Sequence, residues 1–385
     1  MSRVVPVFRA FAFLLIVITA AGAARAAEGV ASPADTARFL AGMQPAGGTP
    51  LAKLAEEAGW RQHARFFDAA WARLDSQQLV KIRAWTGKQL TAPQPVLFYM
   101  FSGPDFLYAD AFFPKADTYV LSGLEPVGNV PDLTKLSRGS LGGELGGLRA
   151  SLNTVLNYSF FITENMKRQL RAGKVNGTLP ILYVFLARSG KTVEEVSFVA
   201  LDGEGAVHAA DEAGLKNPAK GVKIVFSGSD GKKRTLYYFS TDLSDSGIKN
   251  NGGFLKFCDK LGKGDAFIKS ASFLLHSGGF STVRDFLLQH SAALLQDDSG
   301  VPVTYFKAAE WDLQPFGKYL GPIAVFPGRY QAKLAQLFRK APAIDFGVGY
   351  RWRPRESNLL LAVKKAPTAE QAQQPAGSVQ QQVKK

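Results

Sequence analysis

Short apolar runs, each cut off by turn-forming residues, constrain this chain more than any other feature. The run PVLFYMF (95–101) stops at Ser102-Gly103-Pro104-Asp105. A second, at 118–121, stops at Ser122-Gly123-Leu124-Glu125-Pro126, and a third, at 266–275, enters His276-Ser277-Gly278-Gly279. Runs this short fall well below the roughly 20 residues that cross a bilayer. Lacking alternation, they read as strands buried on both faces. Segment 192–201 does alternate, and 222–226 and 234–239 flank the hairpin signal Ser229-Asp230-Gly231. The apolar stretch 179–187 falls in this β-rich middle. Two further strands are expected at 344–352 and 358–363.

Helical spacing fills the rest. Between 51 and 90, Trp60, Phe66, Phe67, Trp71, Leu74, Leu79, Ile82 and Trp85 recur every three to five residues. A break is expected at Asp75-Ser76. Further helices are expected over 148–170, 254–261, 330–339 and 281–296, the last capped by Ser281. After it, Asp297-Asp298-Ser299-Gly300 leads into a strand at 301–306. The fold class that follows is α/β or α+β, a single mixed β-sheet with helices packed on it and a helical N-terminal segment.

The ends differ in composition from the middle. Arg3 and Arg9 precede the apolar run 10–24, about 15 residues, and Ala24-Arg25-Ala26 has the small-x-small form of a cleavage site. Residues 1–26 therefore read as a signal peptide, which implies a periplasmic or secreted protein with no stable membrane span. Residues 366–385 are Gln-, Ala- and Pro-rich with almost no large apolar side chain, the composition of a disordered tail. One mixed domain is expected over 27–365.

Cys258 is the only cysteine, so an exported chain must be held by its core; 28 phenylalanines supply one. The net charge is +14, and it remains +11 without the leader's three arginines. For an exported chain this fits anionic envelope components or a small-molecule ligand as partner. The basic residues do not interleave with aromatics as a nucleic-acid surface would require. No metal-ligand spacing and no cofactor motif occurs. Arg188-Ser189-Gly190-Lys191-Thr192 lacks the upstream glycine of a phosphate loop, since Phe185 holds that place.

Three turns carry the candidate chemistry. Ligands of open α/β sheets sit beyond the carboxyl ends of the strands, so Ser102, Asp105, Glu125, His276 and Ser277 are expected to share one sheet edge. His276 beside a carboxylate would have a raised pKa. Asp297-Asp298 are expected at the opposite edge, because a helix reaching Gln296 would carry them across. Two functions are compatible. One is an exported binding or envelope-associated protein without cofactor. The other is a hydrolase with His276 as base, Ser102 or Ser277 as nucleophile, and Asp105 or Glu125 as the orienting acid.

The stretches FYMFSGPDFLYADAFFP (98–114), YVLSGLEPVG (119–128), KSASFLLH (269–276), LLQDDSGVPV (294–303) and GYRWRPRESNLLLA (349–362) resemble a group of exported bacterial proteins. The likeness covers most of the chain after the leader. It implies export and one contiguous domain, and it implies no activity and no functional residue.

Overall fold

Side chains that alternate between two hydrophobic cores show how the apolar runs are used. The computed structural model describes residues 31–136, 139–161 and 174–366. Among them Leu97, Tyr99, Tyr119, Leu121 and Phe267 point into one core, while Val96, Phe98, Val120, Ala266 and Ile268 point into the other. These belong to β1 (Val96–Tyr99), β2 (Thr118–Gly123) and β7 (Gly264–Ile268). With β6 (Lys233–Ser240) and β8 (Ser291–Gln296) they form a parallel centre in the order β6-β2-β1-β7-β8.

Antiparallel strands extend both sides of the ten-stranded sheet. β5 (Ala219–Ser227), β3 (Thr192–Leu201) and β4 (Val207–Ala209) add to β6, and β10 (Asn358–Lys364) and β9 (Trp311–Gly317) add to β8. The result is a single mixed sheet with helices around it and a helical N-terminal segment.

That segment holds α1 (Pro33–Leu40), α2 (Pro50–Leu54), α3 (Ala58–Leu74) and α4 (Val80–Gln89). Together with α5 (Phe106–Phe112), α6 (Leu141–Tyr158) and α7 (Leu179–Arg188) it covers the first face. The second face is covered by α9 (Gly253–Lys260), which buries Cys258, and α10 (Ser281–His290); α8 (Asp245–Asn250) and α11 (Ala332–Leu337) are shorter. None of the described helices is long and apolar enough to cross a membrane.

Several expectations are corrected. α3 does not break at Asp75-Ser76 but passes through a π-turn, Asp75–Leu79, into α4. Ser76 Oγ donates back to the Ala72 and Arg73 carbonyls, which suits a widened turn better than a cap. Segment 179–187 is the helix α7, every residue of it buried; an all-apolar helix shows no period. The strand at 266–275 stops at Ile268, 301–306 holds only a 3₁₀ turn (Val303–Tyr305), and 344–352 contributes one bridge, Val348 to Arg351. α6 starts at Leu141 and ends at Tyr158, with left-handed Ser159 as its cap. The expected continuation into 162–170, the leader 1–26 and the tail from 367 onward lie outside the described residues.

The largest correction concerns 291–296. These residues, SAALLQ, are good helix formers, yet they leave α10 and pair with β7 as the parallel strand β8. Pairing beside a buried strand overrides intrinsic propensity. Asp297 and Asp298 therefore end β8 at the same edge as the ends of β1, β2 and β7, not at the opposite one.

Candidate binding cavity

The chain leaves the centre of the sheet in two directions. From β1 it passes through α5, on the first face, to the neighbouring β2; from β7 it passes through α10, on the second face, to β8 on the other side. Connections that turn away on opposite faces leave a crevice between their starting strands, the place where open sheets bind ligands. A cavity of about 770 Å³ lies there. Its walls come from the turns after β1 (Tyr99 to Asp105), β2 (Ser122 to Glu125), β6 (Thr241 to Leu243) and β7 (Lys269 to Leu274). Phe160, Phe161, Phe280, Phe326 and Tyr350 close the sides with aromatic surface.

Backbone strain gathers at this edge. Seven non-glycine residues among those described have left-handed backbone, and five stand here. Phe101 (φ 61°), Ser270 (φ 52°) and Ser272 (φ 51°) line the cavity, Phe273 (φ 53°) follows Ser272, and Ser159 (φ 67°) precedes Phe160. Each such residue costs about 1–2 kcal/mol against ordinary backbone. The turn after β7 is held in this state from behind. Ser270 N donates to Asp297 Oδ2 (2.9 Å), Ala271 N to Ser299 Oγ (2.8 Å) and Ser272 N to Tyr350 Oη (3.2 Å), and Tyr350 Oη donates to the Ser270 carbonyl (3.0 Å). Asp297 also accepts from Ser299 N and Oγ. Strain persists only where its surroundings over-determine it.

Beneath the cavity lies a buried ion pair. Lys269 Nζ is 3.0 Å from Asp105 Oδ2, donates to the Ser159 carbonyl and sits 4.3 Å from the Tyr108 ring centre. Asp105 caps α5 by accepting from Tyr108 N (3.2 Å) and accepts from Tyr99 Oη (2.8 Å). Burial first, and then the Asp105 charge, raise the Tyr99 pKa well above its usual value, which keeps the phenol a donor. Both charges are thus fully hydrogen-bonded, the condition under which a buried pair is tolerable.

The two Ser-Gly turns explain each other. Gly103 N donates to the Ser122 carbonyl (3.0 Å), and a Cβ on Gly123 would meet both the Gly103 backbone and Glu125 Oε2. Glycine at 123 makes the room into which the Glu125 carboxylate folds. There Glu125 is buried, with Tyr238 Oη donating to its backbone carbonyl (2.8 Å) and lying 3.3 Å from Oε2. Two lining residues, Ser122 and Ser270, carry hydroxyls that are buried without any hydrogen-bond partner.

The five expected site residues divide. Ser102, Asp105 and Glu125 line the cavity; His276 and Ser277 are not among its lining residues. Ser102 Oγ donates to the Gly103 carbonyl (2.8 Å), and Ser277 Oγ accepts from Gly279 N (3.3 Å), so each hydroxyl serves its own turn. Among the described residues no serine hydroxyl hydrogen-bonds a His276 nitrogen, and Nε2 is buried without a partner. The expected raised pKa of His276 is corrected to a lowered one, about 4: burial is the main cause and the Arg329 charge the next. A base–nucleophile pair is not assembled from these groups.

Sequence reasoning missed Tyr99, Lys269, Ser270, Tyr350 and the two aspartates. Asp298, beside Asp297, is raised to about 7, first by burial and then by its neighbour's charge. The available signal was the pair of polar stretches, Lys269-Ser270 and Asp297-Asp298, each closing an apolar run. No group of three or more His, Cys, Asp or Glu side chains that could hold a metal occurs among the described residues. No protein-family model, curated protein or solved structure matches this chain.

Proposed function

We propose that this is an exported binding protein whose ligand, a small molecule with an apolar body, occupies the cavity between the ends of β1 and β7. The observation that carries the reading is strained, over-determined backbone around a cavity whose buried hydroxyls lack partners. Folding alone favours neither the strain nor an unmade buried hydrogen bond, which costs about 1–3 kcal/mol. A bound ligand offsets both. The aromatic walls fit an apolar body, and the few polar groups at the floor fit one oriented head. Export rests on the leader composition of residues 1–26, and contact with anionic envelope components rests on the +14 charge. Hydrolysis, the alternative from sequence, would require a different base, because His276 reaches no hydroxyl among the described residues.

The test uses N-phenyl-1-naphthylamine, a neutral probe whose fluorescence rises in apolar surroundings. Probe binding to the full chain should saturate. Leu124→Trp should weaken it strongly, because Leu124 is half-exposed at the rim and a larger ring there closes the mouth without disturbing the core. Saturable binding that ignores Leu124→Trp, or no binding, would sink the reading.

A further inference from the structure

The charge around the cavity runs against the charge of the chain. Lysine and arginine outnumber aspartate and glutamate 46 to 32, yet the cavity is lined by Asp105, Glu125 and Asp242 against one cation, Lys269. Lys269 is already spent on Asp105 at 3.0 Å. Glu125 is 2% exposed, and among the described residues no lysine, arginine or histidine pairs with it or with Asp242. A buried carboxylate is normally paired, and Glu125 has only the Tyr238 hydroxyl. That phenol oxygen, Tyr238 Oη, lies 3.3 Å from Oε2. Tyr99, Phe101, Phe160 and Tyr350 add ring faces, which attract a cation held near them.

We infer that the ligand is an organic cation, a protonated amine on an apolar body, with its ammonium group against Glu125. The ammonium supplies the charge partner that Glu125 lacks. The apolar body runs outward along the phenylalanines to the mouth. Glycine at 123 belongs to the same device, since a side chain there would occupy the space of the carboxylate. The basic exterior plays no part in this recognition.

This inference rests on the cavity reading above, and its test separates the two. Three competitors of equal size, 4-phenylbutylamine, 4-phenylbutanol and 4-phenylbutyrate, are titrated against the chain loaded with N-phenyl-1-naphthylamine at pH 7.5. The amine should displace the probe at a concentration roughly tenfold below the alcohol, with the carboxylate weakest. Glu125→Gln should erase the difference between amine and alcohol. Asp242→Asn, at an exposed residue that leaves the core untouched, should reduce the difference by about twofold to threefold. High salt should weaken the amine and leave the alcohol unchanged. Equal displacement by amine and alcohol, or a preference for the carboxylate, overturns the cationic ligand while leaving the cavity reading intact. A preference that survives in Glu125→Gln overturns the assignment to that residue. Failure of the probe itself to bind removes both.

Discussion

The antiparallel wing and the parallel edge of the same sheet make their turns differently. In the wing, β3 meets β4 at Gly205 (φ 72°) and β5 meets β6 at Gly231 (φ 70°), where glycine takes left-handed backbone without strain. Their aspartates are satisfied locally. Asp202 accepts from the Glu204 and Ala206 amides, and Asp230 accepts from Arg234 and then from Lys232 N, which hold its carboxyl well below the usual range. At the ends of β1 and β7 the same backbone is forced on Phe101, Ser270, Ser272 and Phe273, and hydroxyls are left unpaired. One chain therefore shows both how an inexpensive turn is made and where it was not chosen. The difference locates what the fold holds in place for a purpose other than its own stability.

The largest effect expected is at the ion pair beneath the edge. Lys269→Met leaves Asp105 charged, buried and without its cation, and should destabilise the protein by about 3–5 kcal/mol in urea unfolding. Adding Asp105→Leu should restore much of that loss. A single variant as stable as the parent would show that the pair is not what supports the edge.

Next comes His63 on the helical face. It has no exposed surface; its Nε2 lies 2.7 Å from the Leu40 carbonyl and so donates, leaving Nδ1 to accept from Arg149 (3.3 Å). Burial, the main cause, lowers its pKa to about 4. A folded pKa below the unfolded value of about 6.5 means the neutral ring stabilises the fold fully above pH 6.5, and that contribution is lost as pH falls through 4. The stability gap between the parent and His63→Gln should therefore narrow by about 3 kcal/mol over this window. Probe affinity at the cavity should not follow it. A gap independent of pH would mean that the ring titrates in the fold as it does in the unfolded chain.

Gly231→Ala tests the wing. A Cβ there meets nothing within 4 Å, so the change isolates left-handed strain and should destabilise by about 1 kcal/mol. A neutral result would remove the reference against which the parallel edge is judged.

What the residues alone disclose follows from how local each determinant is. The strands β1, β2 and β3 and the β5–β6 hairpin were legible because run length, alternation and turn chemistry are properties of adjacent residues. β8 was not. Ala292, Ala293, Leu294 and Leu295 favour helix, and only pairing between β7 and β10 makes them a strand. That one error hid Asp297, whose importance lies in holding Ser270 from a strand 27 residues away. Ser102, Asp105 and Glu125 were found because each sits in a glycine- or proline-marked turn. Lys269 and Ser270 were missed because their turn contains no glycine, which is the property that now marks the site.

Ser270→Gly tests whether the strain at this edge serves a ligand. The substitution relieves a left-handed serine and removes an unpartnered buried hydroxyl, partly offset by the freedom glycine gains in the unfolded chain. Urea unfolding and titration with N-phenyl-1-naphthylamine are measured on the same preparation. Stability should rise by about 1 kcal/mol, while probe affinity falls, because the turn is no longer fixed against the cavity. A variant that is less stable, or one that is more stable and binds the probe as tightly as the parent, would contradict the claim that this edge is strained to hold a ligand.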